Sequence, residues 1–205
     1  VRQCFLPPRG AGPVVWRPHL IGVAEVRFSD AKLKIDQSRE VVLLAPFGND
    51  LAPVDWAAAE PRTIIAAKHE TNPPGEVYVT TDAGITWKQL PIYVTGKSER
   101  LGMVGAMDAT TFIYSRGEGI HRSTDTGMTW TQVSSANPQS RIPVLFEGAY
   151  YLGTTNGLLV SKDQGASWQP QGAAVNVWQG PFFGHDEKDI VVVGRDGVFI
   201  SKNAG

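Results

Sequence analysis

Cysteine is almost absent: Cys4 is the one copy in 205 residues. That excludes an internal disulfide, and no Cys/His spacing resembles a zinc site. Three residues precede Cys4 and no apolar signal segment stands before it, so it reads as a free thiol near a terminus rather than a lipid attachment point. Long apolar runs are missing as well. The longest, Val41 to Phe47, has the length of a strand and falls far short of a membrane-crossing helix. The net charge is −1 and the basic residues are dispersed, which leaves no electrostatic footprint for nucleic acid. The expectation is a chain with no metal, no cofactor, no nucleic-acid partner and no membrane span.

Glycine and proline, by contrast, are plentiful, at 22 and 14 copies, and they stand between short strand-like runs. That is the texture of an all-β chain, and 42% hydrophobic residues at this length suffice for the core of one domain. One phrase organises the sequence. TTDAGITW (Thr80 to Trp87) returns as STDTGMTW (Ser123 to Trp130) and SKDQGASW (Ser161 to Trp168), and SKNAG (Ser201 to Gly205) begins a fourth copy in the same register. Its acidic position, Asp82, Asp125, Asp163 and finally Asn203, recurs about every forty residues, the period of one propeller blade.

Each copy lies between a short strand and a second strand opened by Trp, so the phrase is a hairpin turn. The hydroxyls of Thr80, Ser123, Ser161 and Ser201 offer local bonds, and Asp82, Asp125, Asp163 and Asn203 accept from turn amides further on. Gly84, Gly127, Gly165 and Gly205 supply a positive φ, while Trp87, Trp130 and Trp168 pack the turn on its sheet. Turn chemistry accounts for every fixed position, whereas an active site needs one constellation and not one per repeat. Asn203 makes the same bonds without a charge. These residues therefore read as structural.

The pattern S/T-x-D-x-G-x-T/S-W resembles the Asp-box, or BNR repeat, of sialidases, sortilin-type receptors, xyloglucan-degrading hydrolases and photosystem assembly factors. The resemblance implies a β-propeller of four-stranded antiparallel blades, with the box as the turn between the third and outermost strands. It further implies a secreted, periplasmic or lumenal location. It implies no chemistry, because these families share a blade and not an activity.

Aligned on the boxes, the second strands fall at Thr63 to Ala67, Thr111 to Ser115, Tyr150 to Thr154 and Ile190 to Gly194. The third strands fall at Val77 to Thr80, Ile120 to Ser123, Leu158 to Ser161 and Val198 to Ser201, and the innermost near Pro53 to Ala57, Gly102 to Ala106, Pro143 to Phe146 and Trp178 to Phe182. The blades then span 49–90, 91–133, 134–171 and 172–205, the last cut short. Residues 1–13 read as an arm, and 14–48 as a degenerate first blade or closing strand, with strands at Val23 to Phe28 and Glu40 to Leu44 and with Ser29-Asp30 as the trace of a lost box. Four recognisable units and a fifth degenerate one are few for a closed ring, and the chain opens at Val1 without methionine, so the expectation is an incomplete propeller, a piece of a larger one. The last blade lacks its outer strand, and either the segment around Val14 to Trp16 or another chain should cover the exposed edge.

In such a meander the boxes share one end of the blade with the turns between first and second strands. His185-Asp186-Glu187 and Asp189 look like a metal or acid/base cluster but fall in such a turn, as solvated polarity. The loops of the opposite end carry His69, Glu70, Arg116, Glu118, Arg141, Arg195 and Asp196, the candidate ligand-binding set, whose arginines and acids suit an anionic sugar or a peptide carboxylate. Three functions compete. The resemblance to sialidases would imply an arginine triad, a Tyr–Glu pair and an acid/base Asp. Arg141-Ile142-Pro143 resembles the phrase that carries the first arginine, yet the nearby Asp163 already belongs to a box, and Tyr93, Tyr114, Tyr150 and Tyr151 show no placed Glu partner. Another glycosidase needs two facing carboxylates, for which Glu70, Glu118 and Asp196 are the suppliers, none in a diagnostic motif. A non-catalytic propeller that binds a protein or glycan, or serves as a subunit or assembly factor of a larger complex, requires no residue that is missing. It is the first expectation, with a glycoside hydrolase as the alternative.

Overall fold

The structure is a computed structural model, and it describes residues 15–16, 26–29, 32–35, 51–68, 76–92, 102–115, 117 and 119–205. The chain divides into two compact units, Val1–Pro46 and Phe47–Gly205. In the first, β1 (Val15–Trp16), β2 (Val26–Ser29) and β3 (Lys32–Ile35) form a three-stranded sheet in chain order, β2 pairing with both neighbours antiparallel. Ser29 pairs with Lys32, and Asp30, the other residue of the expected box trace, lies outside the described residues. The expected strand at Glu40 to Leu44 lies outside them too, and β3 was not legible. Trp16, in the segment expected as a degenerate first blade or closing strand, lies in β1. Val15 of β1 stands opposite Arg27 and Trp16 opposite Val26.

The second unit is all β, a run of antiparallel propeller blades. The first blade comprises β4 (Leu51–Trp56), β5 (Ile64–Lys68), β6 (Val77–Thr80) and β7 (Lys88–Gln89), and the second β8 (Met103–Ala106), β9 (Phe112–Ser115), β10 (Ile120–Ser123) and β11 (Thr131–Ser134). The third comprises β12 (Val144–Phe146), β13 (Ala149–Thr154), β14 (Gly157–Ser161) and β15 (Gln169–Gln171). The fourth has three strands, β16 (Val177–Phe183), β17 (Ile190–Gly194) and β18 (Gly197–Ser201). In each blade the strands pair in chain order, and the second and third strands stand within a residue of where the repeat spacing puts them.

Burial follows from that order. Every residue of β8, β9 and β13 is buried, because an inner strand of a middle blade has a sheet on each face. The outer strands β7, β11 and β15 are mostly exposed. The core is accordingly a row of seams between blades. Ile65, Val79 and Leu90 meet Val104, Phe112 and Tyr114 at the first seam. Met103, Ile113 and Ile120 meet Tyr150, Leu152 and Trp168 at the second, and Tyr151 and Leu158 meet Val177, Phe183 and Val192 at the third.

Polar ties fix the stagger at these seams. The Asp55 carboxylate accepts from the Ala106 amide at 3.0 Å, and the Arg141 carbonyl accepts from the Val104 amide at 3.1 Å. The Ser140 hydroxyl accepts from the Gly153 amide at 2.8 Å and donates to the Gly180 carbonyl at 3.1 Å, joining the third and fourth blades. The approach is closest at Gly153, where an added Cβ would stand 2.5 Å from Val177 Cγ1 and 2.9 Å from Ser140 Oγ. Gly153→Ala is therefore expected to lower stability by about 1–3 kcal/mol through overpacking, read as a reduced urea midpoint. Gly148→Glu, at a turn where an added Cβ meets nothing within 4 Å, should instead feel only the strain of its positive φ of 80°.

Candidate functional site

The aspartates of the repeat carry the strongest chemical signal, and the structure shows what each one does. At the first repeat turn the Thr80 hydroxyl donates to Asp82 Oδ1 at 2.6 Å while accepting from the Gly84 amide at 2.9 Å. Asp82 then accepts the Thr86 amide at 2.9 Å on Oδ1 and the Thr86 hydroxyl at 2.6 Å on Oδ2. The second turn repeats the set with Ser123, Asp125, Gly127 and Thr129, and the third with Ser161, Asp163, Gly165 and Ser167. Asn203 takes the carboxylate's place in the fourth, accepting from the Ser201 hydroxyl at 2.9 Å while Gly205 donates to that hydroxyl at 2.7 Å.

Two consecutive residues in each turn have positive φ, so glycine alone does not make the bend. Ala83, Thr126, Gln164 and Ala204 stand at φ between 55° and 74°, each directly before the turn glycine. Three of them use the amide so exposed to latch the turn to the hairpin beside it: Ala83 donates to the Arg62 carbonyl, Thr126 to Thr110 and Ala204 to Lys188. The Trp87 and Trp130 side chains are half-buried and Trp168 is buried. Trp130 donates its indole N–H to the Gly127 carbonyl at 3.0 Å and meets Tyr114 edge-on at 4.7 Å.

This bonding holds the carboxylates ionised. The Thr80 hydroxyl, followed by the Thr86 hydroxyl and amide, holds Asp82 at about 2, and the Ser167 hydroxyl is the largest cause of the same value at Asp163. Asp125 is lowered further, first by the Thr129 hydroxyl. A carboxylate so bonded is a poor general acid, and its lone pairs are already directed at the turn.

At the opposite end of the blades, Arg195 and Asp196 form the exposed turn between β17 and β18, and Arg141 is exposed just before β12. The topology thus brings these three to one end of neighbouring blades. His69, Glu70, Arg116 and Glu118, the rest of the expected set, lie outside the described residues. His185, Asp186, Glu187 and Asp189 sit in the turn between β16 and β17, at the end of the repeat turns. There Asp186 accepts the Lys188 amide at 2.8 Å and Asp189 pairs with Lys202 at 3.1 Å. Among the described residues no group of three or more His, Cys, Asp or Glu side chains could hold a metal ion.

One residue of this end escaped the sequence reading. Trp178 is 56% exposed at the start of β16, where the register with β17 slips between Val177 and Gln179. Such a bulge re-aims a side chain. The sequence signal at this place is the Gly180-Pro181 step inside the strand. The platform beneath is firm: the Gly157 amide donates to the Val175 carbonyl at 2.7 Å, and the Gly119 amide donates to Asn137 Oδ1 at 2.9 Å.

Residues 70–176, just over half of the chain, match the family described as the DUF6242 beta propeller domain. The chain belongs to that family. No curated protein matches it. Among solved structures it is similar to the GH74 enzyme of Niastella koreensis, at 18% identity and a TM-score of 0.55 over 95% of this chain and 29% of that one. An ancestral GH74 enzyme gives 16% identity and a TM-score of 0.54 over 94% of this chain and 25% of that one. The structure described as YCF48 bound to D1 peptide gives 20% identity and a TM-score of 0.46 over 71% and 48%. The chain thus spans less than a third of these two GH74 enzymes, and at these identities the likeness is one of fold.

Two outcomes test the structural assignment. Ser123 is buried and bonds both Asp125 and Gly127, so Ser123→Ala leaves a buried amide without its acceptor; a loss of about 1–3 kcal/mol is expected in urea unfolding. Because the folded carboxylates lie below the ordinary value of 3.8, their ionisation stabilises the fold above that pH, and the contribution disappears as pH falls towards 2. The urea midpoint should hold from neutrality down to about pH 5 and then fall, and Asp125→Asn, which keeps an acceptor oxygen, should make the fall shallower.

Proposed function

We propose that the protein is a non-catalytic Asp-box propeller that binds a protein or glycan partner, as a scaffold, subunit or assembly factor of a larger complex. The observation that carries this reading is the division of polar groups between the two ends of the blades. The repeat-turn carboxylates are saturated by their own turns, whereas Arg141, Arg195, Asp196 and Trp178 are exposed at the other end on a platform of backbone bonds. Guanidinium groups and an exposed indole at one end of the blades suit a carboxylate-bearing ligand, by paired hydrogen bonds and by stacking. A secreted, periplasmic or lumenal location belongs to the same proposal and is supported by the resemblance of the repeat; fractionation of the source cells tests it.

The rival reading is a glycoside hydrolase, which the fold likeness to GH74 enzymes favours. Of the acids available to it at this end, Glu70 and Glu118 are outside the described residues and Asp196 is an exposed turn residue. Turnover separates the two. The purified protein should release no fluorophore from fluorogenic glycosides, sialosides included; cleavage abolished by Arg141→Ala would overturn the proposal. Positive evidence would come from a glycan and peptide array, where binding should survive Asp125→Asn and fall at least about tenfold in Arg141→Ala/Arg195→Ala.

A further inference from the structure

We propose that Met128 is a site of oxidation by peroxides, and that Lys88 of the neighbouring blade holds the sulfoxide once it forms. The two residues belong to the first and second blades, each of which has its four strands. They lie at the end of the repeat turns, away from Arg141, Arg195 and Asp196, so the site does not depend on a ligand bound there.

The chain has three methionines. Met103 and Met107 are 0% and 3% exposed inside the second seam, whereas Met128 is 49% exposed at the tip of the second repeat turn. A thioether is oxidised where the oxidant can reach it, so exposure selects Met128. Its sulfur also has a fixed neighbour. Lys88 Nζ, on β7 of the first blade, donates to Met128 Sδ at 2.9 Å, and the turn is seated on that blade through Gly127, where an added Cβ would stand 2.6 Å from Leu90.

The fold tolerates a polar group at this position. Ile85 and Ala166 follow the glycine in the first and third turns as Met128 does in the second, and all three turns make the same aspartate bonds, so the turn does not rest on this side chain. What the turn takes from Met128 is its amide, which donates to Asp125 Oδ1 at 3.0 Å and which oxidation of the sulfur leaves untouched. A sulfoxide disrupts a core when it forms inside one. Here it forms at an exposed tip.

With hydrogen peroxide as the oxidant, a sulfur lone pair attacks one oxygen, the S–O bond forms as the O–O bond breaks, and the proton of the transferred oxygen passes to the departing one, which leaves as water. Sulfur is oxidised and the peroxide reduced by one electron pair. The thioether is a weak acceptor. The sulfoxide oxygen carries a partial negative charge, so the Lys88 ammonium exchanges a weak contact for a charge-assisted hydrogen bond between the outer strand of the first blade and the turn of the second.

The whole chain treated with dilute hydrogen peroxide, then digested and mapped by mass spectrometry, provides the test. The tryptic peptide Ser123 to Arg141 should gain oxygen at least about tenfold faster than Leu101 to Arg116, which carries both buried methionines. In urea, where burial is gone, the two rates should converge. Oxidation should leave the urea midpoint of the parent unchanged and lower that of Lys88→Ala, in which the sulfoxide has lost its donor. Comparable oxidation of the two peptides in the folded protein, the same preference in urea, or an equal response of the parent and Lys88→Ala would each overturn the proposal.

Discussion

The hydroxyl that ends the third strand of each blade is the group on which the rest of the fold turns. In three turns it is a threonine or serine that accepts the amide of a glycine four residues on while donating to the aspartate between them, and that single oxygen sets the direction in which the chain leaves the strand. It is buried in all three, at 1–2% exposure, so solvent cannot substitute for its partners. Once the direction is set, the residue before the glycine is forced to positive φ and its amide points at the neighbouring hairpin, which is how a local bond becomes a tie within the blade.

The turn glycines extend that constraint from blade to blade. An added Cβ at Gly127 would stand 2.6 Å from Leu90 of the preceding blade, and at Gly165 it would stand 3.1 Å from Ile113. Each turn is therefore seated on the blade before it, and the Trp that follows enters the same seam, as Trp168 does beside Ile113 and Leu152. The inner strands tie the seams as well, through Asp55 beside the turn that follows β4 and through Arg141 and Ser140 at the other end. Held at both ends, successive blades have little freedom in their relative angle, which suits a fold whose core is a row of identical contacts rather than one central cluster.

Fold legibility tracked the repeat. The second and third strands flank the turn in sequence and were placed to a residue; β16 gains its extra length from two irregularities that the spacing could not foresee, and Trp178 was placed in the strand without its bulge being seen. β3 lies far from any repeat turn, where hydrophobic alternation in Lys32–Ile35 is too short to stand out. The candidate site was less legible for a different reason. Arg141, Arg195 and Asp196 were found because topology sorts loops by end, but sorting by end gives no distance between them, and polar residues are common in loops of any function. His185 to Asp189 fall in the turn between β16 and β17, at the end that rule gives them, and two of the carboxylates are engaged, Asp186 by the Lys188 amide and Asp189 by Lys202.

A consequence for function follows from where the polar groups are used. At the end of the repeat turns the aspartates, hydroxyls and amides are engaged in fixing the fold, so substitution there is read first as lost stability. At the opposite end, the strands are tied by backbone groups, Gly157 to Val175 and Val104 to Arg141, and by side chains set back from the turns. Among the described exposed side chains of that end, Asn137 accepts the Gly119 amide whereas Arg141, Arg195, Asp196 and Trp178 hold none of these bonds, and Asn203 shows that even at the structural end an acceptor oxygen serves without a charge. Those four positions are therefore open to substitution without loss of a hydrogen bond in the blade beneath. That is the physical reason why a repeat so strict in its turns fixes a fold and specifies no function.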